Sequence, residues 1–343
     1  MNMTNTSTPK LAVIVLNWNG IKDTIPCLDS LIKQSIPVKI IVVDNGSTDN
    51  SIKILSEYQS KHANRVDVLY NPINYGFAGG VNTGIEYALN DNYGYIALFN
   101  NDAMADKEWA SGLIDSISEN KSIGIATCLL LNSLGEKIDS TGEQYSTWGL
   151  PFPRNRNHKR ELAPADELVF GATGGASLYK TEMLREIGLF DEDFFAYYED
   201  TDVSFRAQLA GWKVAYTDKA IAYHKQGETS KRMPGFTVYQ TFKNLPLLFI
   251  KNVPCGLLLS IGIRFYFAYA LMFFNAIVKG SGKSAIKGAW QGFILGFKKL
   301  GERREIQSNK KVTTKYIKSM LWPDLPPDQT GIRKLRKFFT AKN

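Results

Sequence analysis

The chain opens as apolar runs alternating with amphipathic stretches. LAVIVLN (11–17) and KIIVVDN (39–45) are continuous apolar segments that end in polar residues, the pattern of strands covered on both faces. A helical periodicity ending in CLDSLIKQS separates them. After the second run, STDNSIKILSEYQS starts with capping residues and continues at helical spacing. RVDVLYN, GGVNTGIEYALN and YIALFNN repeat the alternation. Strand–helix units of this length predict an α/β fold, a mostly parallel sheet flanked by helices. Ligands of such sheets bind beyond the carboxyl ends of the strands. The polar clusters Asn17–Asn19, Asp44–Ser47 and Asn100–Asp102 fall at those ends and predict a nucleotide-type site.

The pattern then loosens. SIGIATCLLL and KIDSTG read as strands, PFPRNRNHKR as a mobile Pro- and Arg-rich loop, and ELVFGATGGASLYK leads into a helix over 181–187. KVAYT and AIAYH read as two short strands. From Phe236 to about Leu300 the chain is apolar and aromatic, punctuated by lysines. VPCGLLLSIGIRFYFAYALMFFNAIV is long enough to cross a bilayer, but Arg264 in its middle would be costly there. The expectation is peripheral attachment through helices lying in the headgroup layer, with a dimer interface or a cap on the catalytic part as the alternative. The organisation expected is a flexible N-terminus (1–9), a catalytic domain (10–235), a helical membrane-interface or dimerisation region (236–305) and a basic tail (306–343).

Composition sharpens this outline. The 343 residues, 44% of them apolar, suffice for a large core, and the formal charge of +8 gathers after Lys279. That asymmetry points to an anionic partner, a membrane surface or a phosphate-bearing ligand. Its lysines alternate with apolar runs instead of forming a solvated stripe, which argues against nucleic acid. The three scattered cysteines fit a reducing compartment and neither a disulfide scaffold nor a structural zinc. MNMTNTSTPK carries no apolar signal core, so the expected location is the cytoplasmic side of the cell membrane.

Several polar positions suit one chemistry. Asp44, at a strand end, would face the ligand crevice and could accept the N3–H of uracil or thymine; it could equally shape a turn and cap the next helix. Trp18 could stack on a base while Asn17 or Asn19 bonds to it, or simply fill the core. Asp102, with Asn100 as a weaker partner, could hold Mg²⁺ or Mn²⁺ against a diphosphate, or form a helix-starting turn. His224, ending an apolar strand, could complete the metal sphere. In FAYYEDTDVSFRAQLAGW, Asp202 and Arg206 sit four apart as a helical ion pair. Glu199 and Asp200 fall at the helix start, behind aromatics suited to a sugar face, where an acid could take a proton from an acceptor hydroxyl.

Taken together, VIVLNWNG, VVDNGSTDNS, NYGFAGGVNTGI, LFNNDA, GGASLYK, GLFDEDFFAYYEDTDVSFRAQLAGW and AYHKQGETS resemble glycosyltransferase family 2, inverting enzymes of GT-A fold. The resemblance covers roughly two-thirds of the chain, and the GFAGGVNTG and YEDTDVSFR forms look most like bacterial rhamnosyltransferases of surface-polysaccharide synthesis. It implies a dTDP- or UDP-sugar donor, with L-rhamnose favoured, and a glycan or polyprenyl-diphosphate-linked acceptor. It further implies Asp44 on the base, Asp102 on the metal, His224 near metal or diphosphate, and Asp200 as general base. Gly79 and Asn82 match the loop lining the donor pocket, Asn101 the donor side, and Gly175, Tyr198 and Glu199 the acceptor side. One position departs: the first acid of the usual Asp-x-Asp is Asn100, one charge fewer. A UDP-hexose enzyme and a non-catalytic sugar-nucleotide-binding subunit are the competing readings.

Overall fold

The computed structural model describes residues 10–225, 233–329 and 331. The expected flexible N-terminus, the end of AYHKQGETS and, in the basic tail, residues 330 and 332–343 lie outside the described residues.

The expected alternation forms as read: β1 (Leu11–Asn17), α1 (Ile21–Ile32), β2 (Lys39–Asn45), α2 (Ser51–Lys61), β3 (Val66–Asn71), α3 (Gly76–Leu89) and β4 (Tyr95–Asn100). β4, β1, β2 and β3 run parallel. Their apolar residues divide between two cores, one on each face of the sheet. Hence β1, β2 and β4 are buried and apolar almost throughout, whereas β3 at the sheet edge alternates.

The remaining strands are β5 (Ala103–Ala105), β6 (Ile123–Asn132), β7 (Ile138–Ser140), β8 (Glu143–Tyr145), β9 (Pro151–Pro153), β10 (Glu167–Val169), β11 (Ala176–Lys180) and β12 (Lys213–His224). The sheet order is β10-β12-β6-β11-β4-β1-β2-β3. β11 is antiparallel to both β4 and β6, whereas β12 runs parallel to β6. This polarity has a direct consequence. The carboxyl ends of β1, β2, β4 and β12 and the amino end of β11 all reach one edge of the sheet.

Two expectations need correction. KVAYT and AIAYH are one strand, β12, whose register along β6 shifts between Thr217 and Ile221; the polar TDK interruption is absorbed as an irregularity. PFPRNRNHKR is tethered. Pro151–Pro153 pairs with β8, Asn157 donates its backbone N–H to Ile138 O at 2.9 Å, and Arg156 pairs with Asp139 at 2.8 Å.

After α4 (Trp109–Ser118) and α5 (Thr181–Ile187) comes α6 (Glu199–Leu209), and then the helical C-terminal region: α7 (Phe236–Asn252), α8 (Cys255–Val278), α9 (Gly282–Ser308) and α10 (Thr314–Met320). A third core joins Phe194 and Phe205 to Leu248, Phe249 and Phe265, so these helices share a packed interior with the α/β part. α9 approaches α7 backbone to backbone. A Cβ at Gly292 would lie 2.6 Å from Lys243 O, and one at Gly288 would collide with Tyr239 O. Only glycine permits that approach.

A buried ion network ties these helices to α6. Lys251 Nζ lies 2.6 Å from Asp191 and 3.0 Å from Asp202; Lys299 reaches Asp191 and Asp193; Asp202 also pairs with Arg206 at 2.8 Å. The helical Asp202–Arg206 pair is therefore structural. Against the penalty of burial, Lys251 and Lys299 hold the Asp191 carboxyl at about 2. Removing one partner of such a network strands the opposite charges. Lys251→Met is expected to destabilise the fold by about 3–5 kcal/mol, read by denaturant unfolding; an unchanged midpoint would contradict the network's role.

Candidate functional site

The strand ends and the head of α6 enclose a cavity of about 660 Å³. At the end of β4, Asn100, Asn101 and Asp102 line it. β12 delivers His224 to the same wall because its last residue pairs with Ala103 of β5. His224 Nε2 lies 3.0 Å from Asp102 Oδ1 and 3.3 Å from Asn100 Nδ2. Its other ring nitrogen lies 2.7 Å from Asp139 Oδ2, and Arg156 pairs with the second oxygen of Asp139. Burial would discharge the imidazole, but Asp102 and Asp139 outweigh it and raise His224 to about 9. Burial likewise pushes Asp139 upward, and His224 and Arg156 reverse this, leaving it below the usual carboxylate range.

Asp102 and His224 could hold a divalent cation. An Asp139 carboxylate on Nδ1 would fix the tautomer that leaves Nε2 for a metal once a cation displaces the proton shared with Asp102. As oriented, Asn100 presents its amide nitrogen; acting as a ligand would require the amide to turn. A second acidic cluster, Asp191, Asp193 and Glu302, does not suit a metal, because Lys251, Lys298 and Lys299 already neutralise it.

The opposing chemistry comes from the turn before α6. Phe195, Tyr197 and Tyr198 have φ of 62°, 70° and 72°, an uncommon run of bulky left-handed residues. They line the cavity together with Glu199 and Asp200. Asp200 Oδ2 accepts the Gly174 N–H at 2.8 Å. Gly175, next in the chain, accepts the Asn100 N–H at 2.8 Å through its carbonyl and lies against the Asn100 side chain. The acid is thus stitched through GG to the residues beside His224. Burial raises Asp200; burial and then the Asp200 charge push Glu199 up to about 8. Glu199 Oε2 has no hydrogen-bond partner among the described residues.

The expected site residues separate into two groups. Trp18, Asn100, Asn101, Asp102, Gly175, Tyr198, Glu199, Asp200 and His224 all line the cavity. Asp44 does not face it. The carboxylate is fully buried, accepting from Asn17 Nδ2 at 2.7 Å and from Ser47 N at 3.1 Å. Asn17 is buried beside it, and Asn19 accepts from the Thr48 and Asp49 N–H groups. Ser47 ties these three into one hydrogen-bonded cluster at the ends of β1 and β2. Gly79 and Asn82 lie within α3 and not on a loop. Asn82 donates to Phe190 O and Glu192 and accepts from Phe190 N, while Gly79 packs near Tyr75 and Glu192. They brace the approach to the acidic turn because a mid-helix amide must be satisfied.

Sequence reasoning missed Asp139, Arg156 and Glu143, all on the cavity wall. KIDSTG was legible only as a strand. β7 folds back on the end of β6 as a local hairpin, but the contact that draws Asp139 into the site is with His224, 85 residues later, and has no local signal.

Residues 12–188, just over half of the chain, match the family described as Glycosyl transferase family 2. The low-salt glycan biosynthesis hexosyltransferase Agl10 of Haloferax volcanii is 26% identical over 68% of this chain and 73% of its own length. The N-acetylglucosaminyl-diphospho-decaprenol L-rhamnosyltransferase of Mycobacterium tuberculosis is 26% identical over 58% of this chain and 70% of its own. Among solved structures, the mannosyltransferase PcManGT from Pyrobaculum calidifontis, in complex with GDP-Man and Mn²⁺, is similar with a TM-score of 0.55 at 14% identity, over 89% of this chain and 86% of that one. The sheet, its flanking helices and the family match together identify the fold as GT-A, and the chain belongs to glycosyltransferase family 2.

Proposed function

We propose that this transferase moves a sugar, L-rhamnose from dTDP-L-rhamnose in the favoured case, onto a hydroxyl of a glycan or polyprenyl-diphosphate-linked acceptor in cell-surface polysaccharide synthesis. The observation that carries the reading is the single cavity joining Asp102 and His224 on one wall to Asp200 at the head of α6, through Asn100 and the Gly174–Gly175 backbone. The name of the Mycobacterium tuberculosis relative supports rhamnose and a diphospholipid acceptor. A UDP-hexose donor is the second reading; the hexosyltransferase name of the Haloferax volcanii relative is compatible with either sugar.

Asp200 is the general base. Its carboxylate takes the acceptor hydroxyl proton as that oxygen attacks the anomeric carbon. The bond to the diphosphate breaks, the nucleoside diphosphate leaves, and the configuration inverts. Burial raises both carboxyls, which makes Asp200 a stronger proton acceptor than a solvent-exposed aspartate. Asp102 and His224 would hold Mg²⁺ or Mn²⁺, with Asn100 available after turning its amide; a bound cation supplies countercharge to the leaving diphosphate. The Mn²⁺ in the PcManGT complex supports a divalent ion. The base sits near the ends of β1 and β2, beside Trp18 and the cluster of Asp44, Asn17 and Asn19.

The acceptor suits a membrane surface. α8 is a 24-residue helix with mean hydropathy 1.8, and Ile263, Arg264 and Phe267 share its exposed side. On α9, Trp290, Phe293 and Phe297 are about 60% exposed and adjacent, with Phe293 and Phe297 centroids 5.1 Å apart. Exposed aromatics flanked by Lys287, Lys298 and Arg264 favour the headgroup layer of the cytoplasmic leaflet over a span.

Three outcomes are expected. In a thermal-shift panel of dTDP- and UDP-sugars with Mn²⁺, the strongest stabiliser identifies the donor class; with that donor, Asp200→Asn lowers transfer by about 10²–10⁴-fold while donor affinity stays within about twofold. Unchanged turnover would remove Asp200 from the mechanism. Asp139→Asn weakens Mn²⁺ binding, read by titration calorimetry, by about 10–100-fold; equal affinity would sink its orienting role. Replacing Trp290, Phe293 and Phe297 together by serine lowers sedimentation with phosphatidylglycerol vesicles at least about tenfold. Unaltered vesicle binding, or a dimer turning to monomer instead, would assign that face elsewhere.

A further inference from the structure

The turn that carries the two acids adopts a conformation its own sequence disfavours. Phe195 has φ 62° and ψ −58°, and Tyr197 and Tyr198 are also left-handed. Aromatic residues hold such angles only where the surroundings over-determine them. Here the surroundings are two helices. Asn244 of α7 donates its side-chain amide to Phe194 O at 2.9 Å, Ala196 O at 2.9 Å and Tyr197 O at 2.8 Å. Its neighbour Lys243 donates to Asp193 O at 2.7 Å and Phe194 O at 3.1 Å. The remaining carbonyl, of Phe195, accepts the Phe77 and Ala78 N–H groups at the start of α3, where Gly76 leaves room for the ring. Every carbonyl from Asp193 to Tyr197 is therefore held from outside the turn.

Asn244 is fully buried, and its own amide oxygen has no hydrogen-bond partner among the described residues. A buried acceptor left unsatisfied is costly, so the side chain is present for its donors. Few other side chains could replace it. A carboxylate would aim oxygens at three carbonyls, and leucine would leave all three without this donor. α7 also supplies Phe236, whose ring packs at 6.1 Å against both Phe195 and Tyr197.

We propose that Asn244, seconded by Lys243, is a positioning residue for sugar transfer: by gathering the carbonyls of residues 193–197 it sets the angle at which α6 presents Glu199 and Asp200 to the cavity. The inference rests on the reading of Asp200 as base, and the experiment separates the two. Asn244→Ala, Asn244→Asp, Lys243→Met and Asp200→Asn are compared in the full chain. Turnover is read as nucleoside diphosphate released from whichever of dTDP-L-rhamnose and UDP-glucose gives the larger thermal shift. Donor affinity is measured separately by calorimetry, and folding by circular dichroism.

A displaced acid lowers kcat without touching the donor subsite, because misplacement of about 1 Å costs about 100-fold in rate. Asn244→Ala is expected to lose about that much in kcat with donor Kd unchanged, Asn244→Asp more, and Lys243→Met less. Folded Asn244 variants with the parent kcat would overturn the proposal, as would kcat and donor affinity falling in step. Should neither Asn244 variant fold, Lys243→Met decides by the same split. An active Asp200→Asn alongside an impaired Asn244→Ala would instead remove the base assignment while leaving the turn's importance standing.

Discussion

One hydrogen bond organises the site: Gly174 N–H to Asp200 Oδ2 at 2.8 Å. It joins the first turn of α6 to the residues that lead into β11, the one strand placed antiparallel between β4 and β6. Because β11 runs against its neighbours, its amino end meets their carboxyl ends. The acid at the head of α6 thereby shares a cavity with Asp102 and His224. Were β11 parallel, Gly174 and Gly175 would lie at the far edge of the sheet and Asp200 would have no anchor near the strand-end polar residues.

The C-terminal helices belong to this arrangement and are not an appendage. α9 lies against α7 through Gly288 and Gly292, and α7 grips the aromatic turn through Lys243 and Asn244. The buried network of Asp191, Asp202, Lys251 and Lys299 fastens the same elements from below. The exposed aromatic side of α9 is thus one helix removed from the strained turn beside the acids. Attachment of that face to a lipid surface would bring the cavity to a lipid-linked acceptor while the helix behind it fixes the acids in place.

Much of this was legible in the sequence, for a physical reason. Buried parallel strands must be apolar along their length and helices must cap and repeat, so β1 to β4 and their helices declare themselves locally. Asp102, His224, Glu199 and Asp200, expected together from strand ends and a helix start, do line one cavity. The rest depends on contacts that only the tertiary fold makes. Asp139 matters because His224 arrives beside it from β12, Arg156 because its hairpin carries it to Asp139, and Asn244 because α7 packs under the turn. Asp44 lies at the strand end as expected, and there Asn17 and Ser47 hydrogen-bond its carboxylate. Asn82 reads as a loop residue of the donor pocket by likeness, yet its amide closes hydrogen bonds with Phe190 and Glu192.

The account stands on the sugar lying between a cation at Asp102 and His224 and the carboxylate of Asp200. A crystal structure with Mn²⁺ and an unreactive nucleotide-sugar analogue measures this directly. The predicted result is Mn²⁺ coordinated by Asp102 Oδ and His224 Nε2, with the anomeric carbon turned toward Asp200. A metal bound elsewhere, or an anomeric carbon facing away from Asp200 with the turn at 193–198 unchanged, would contradict it.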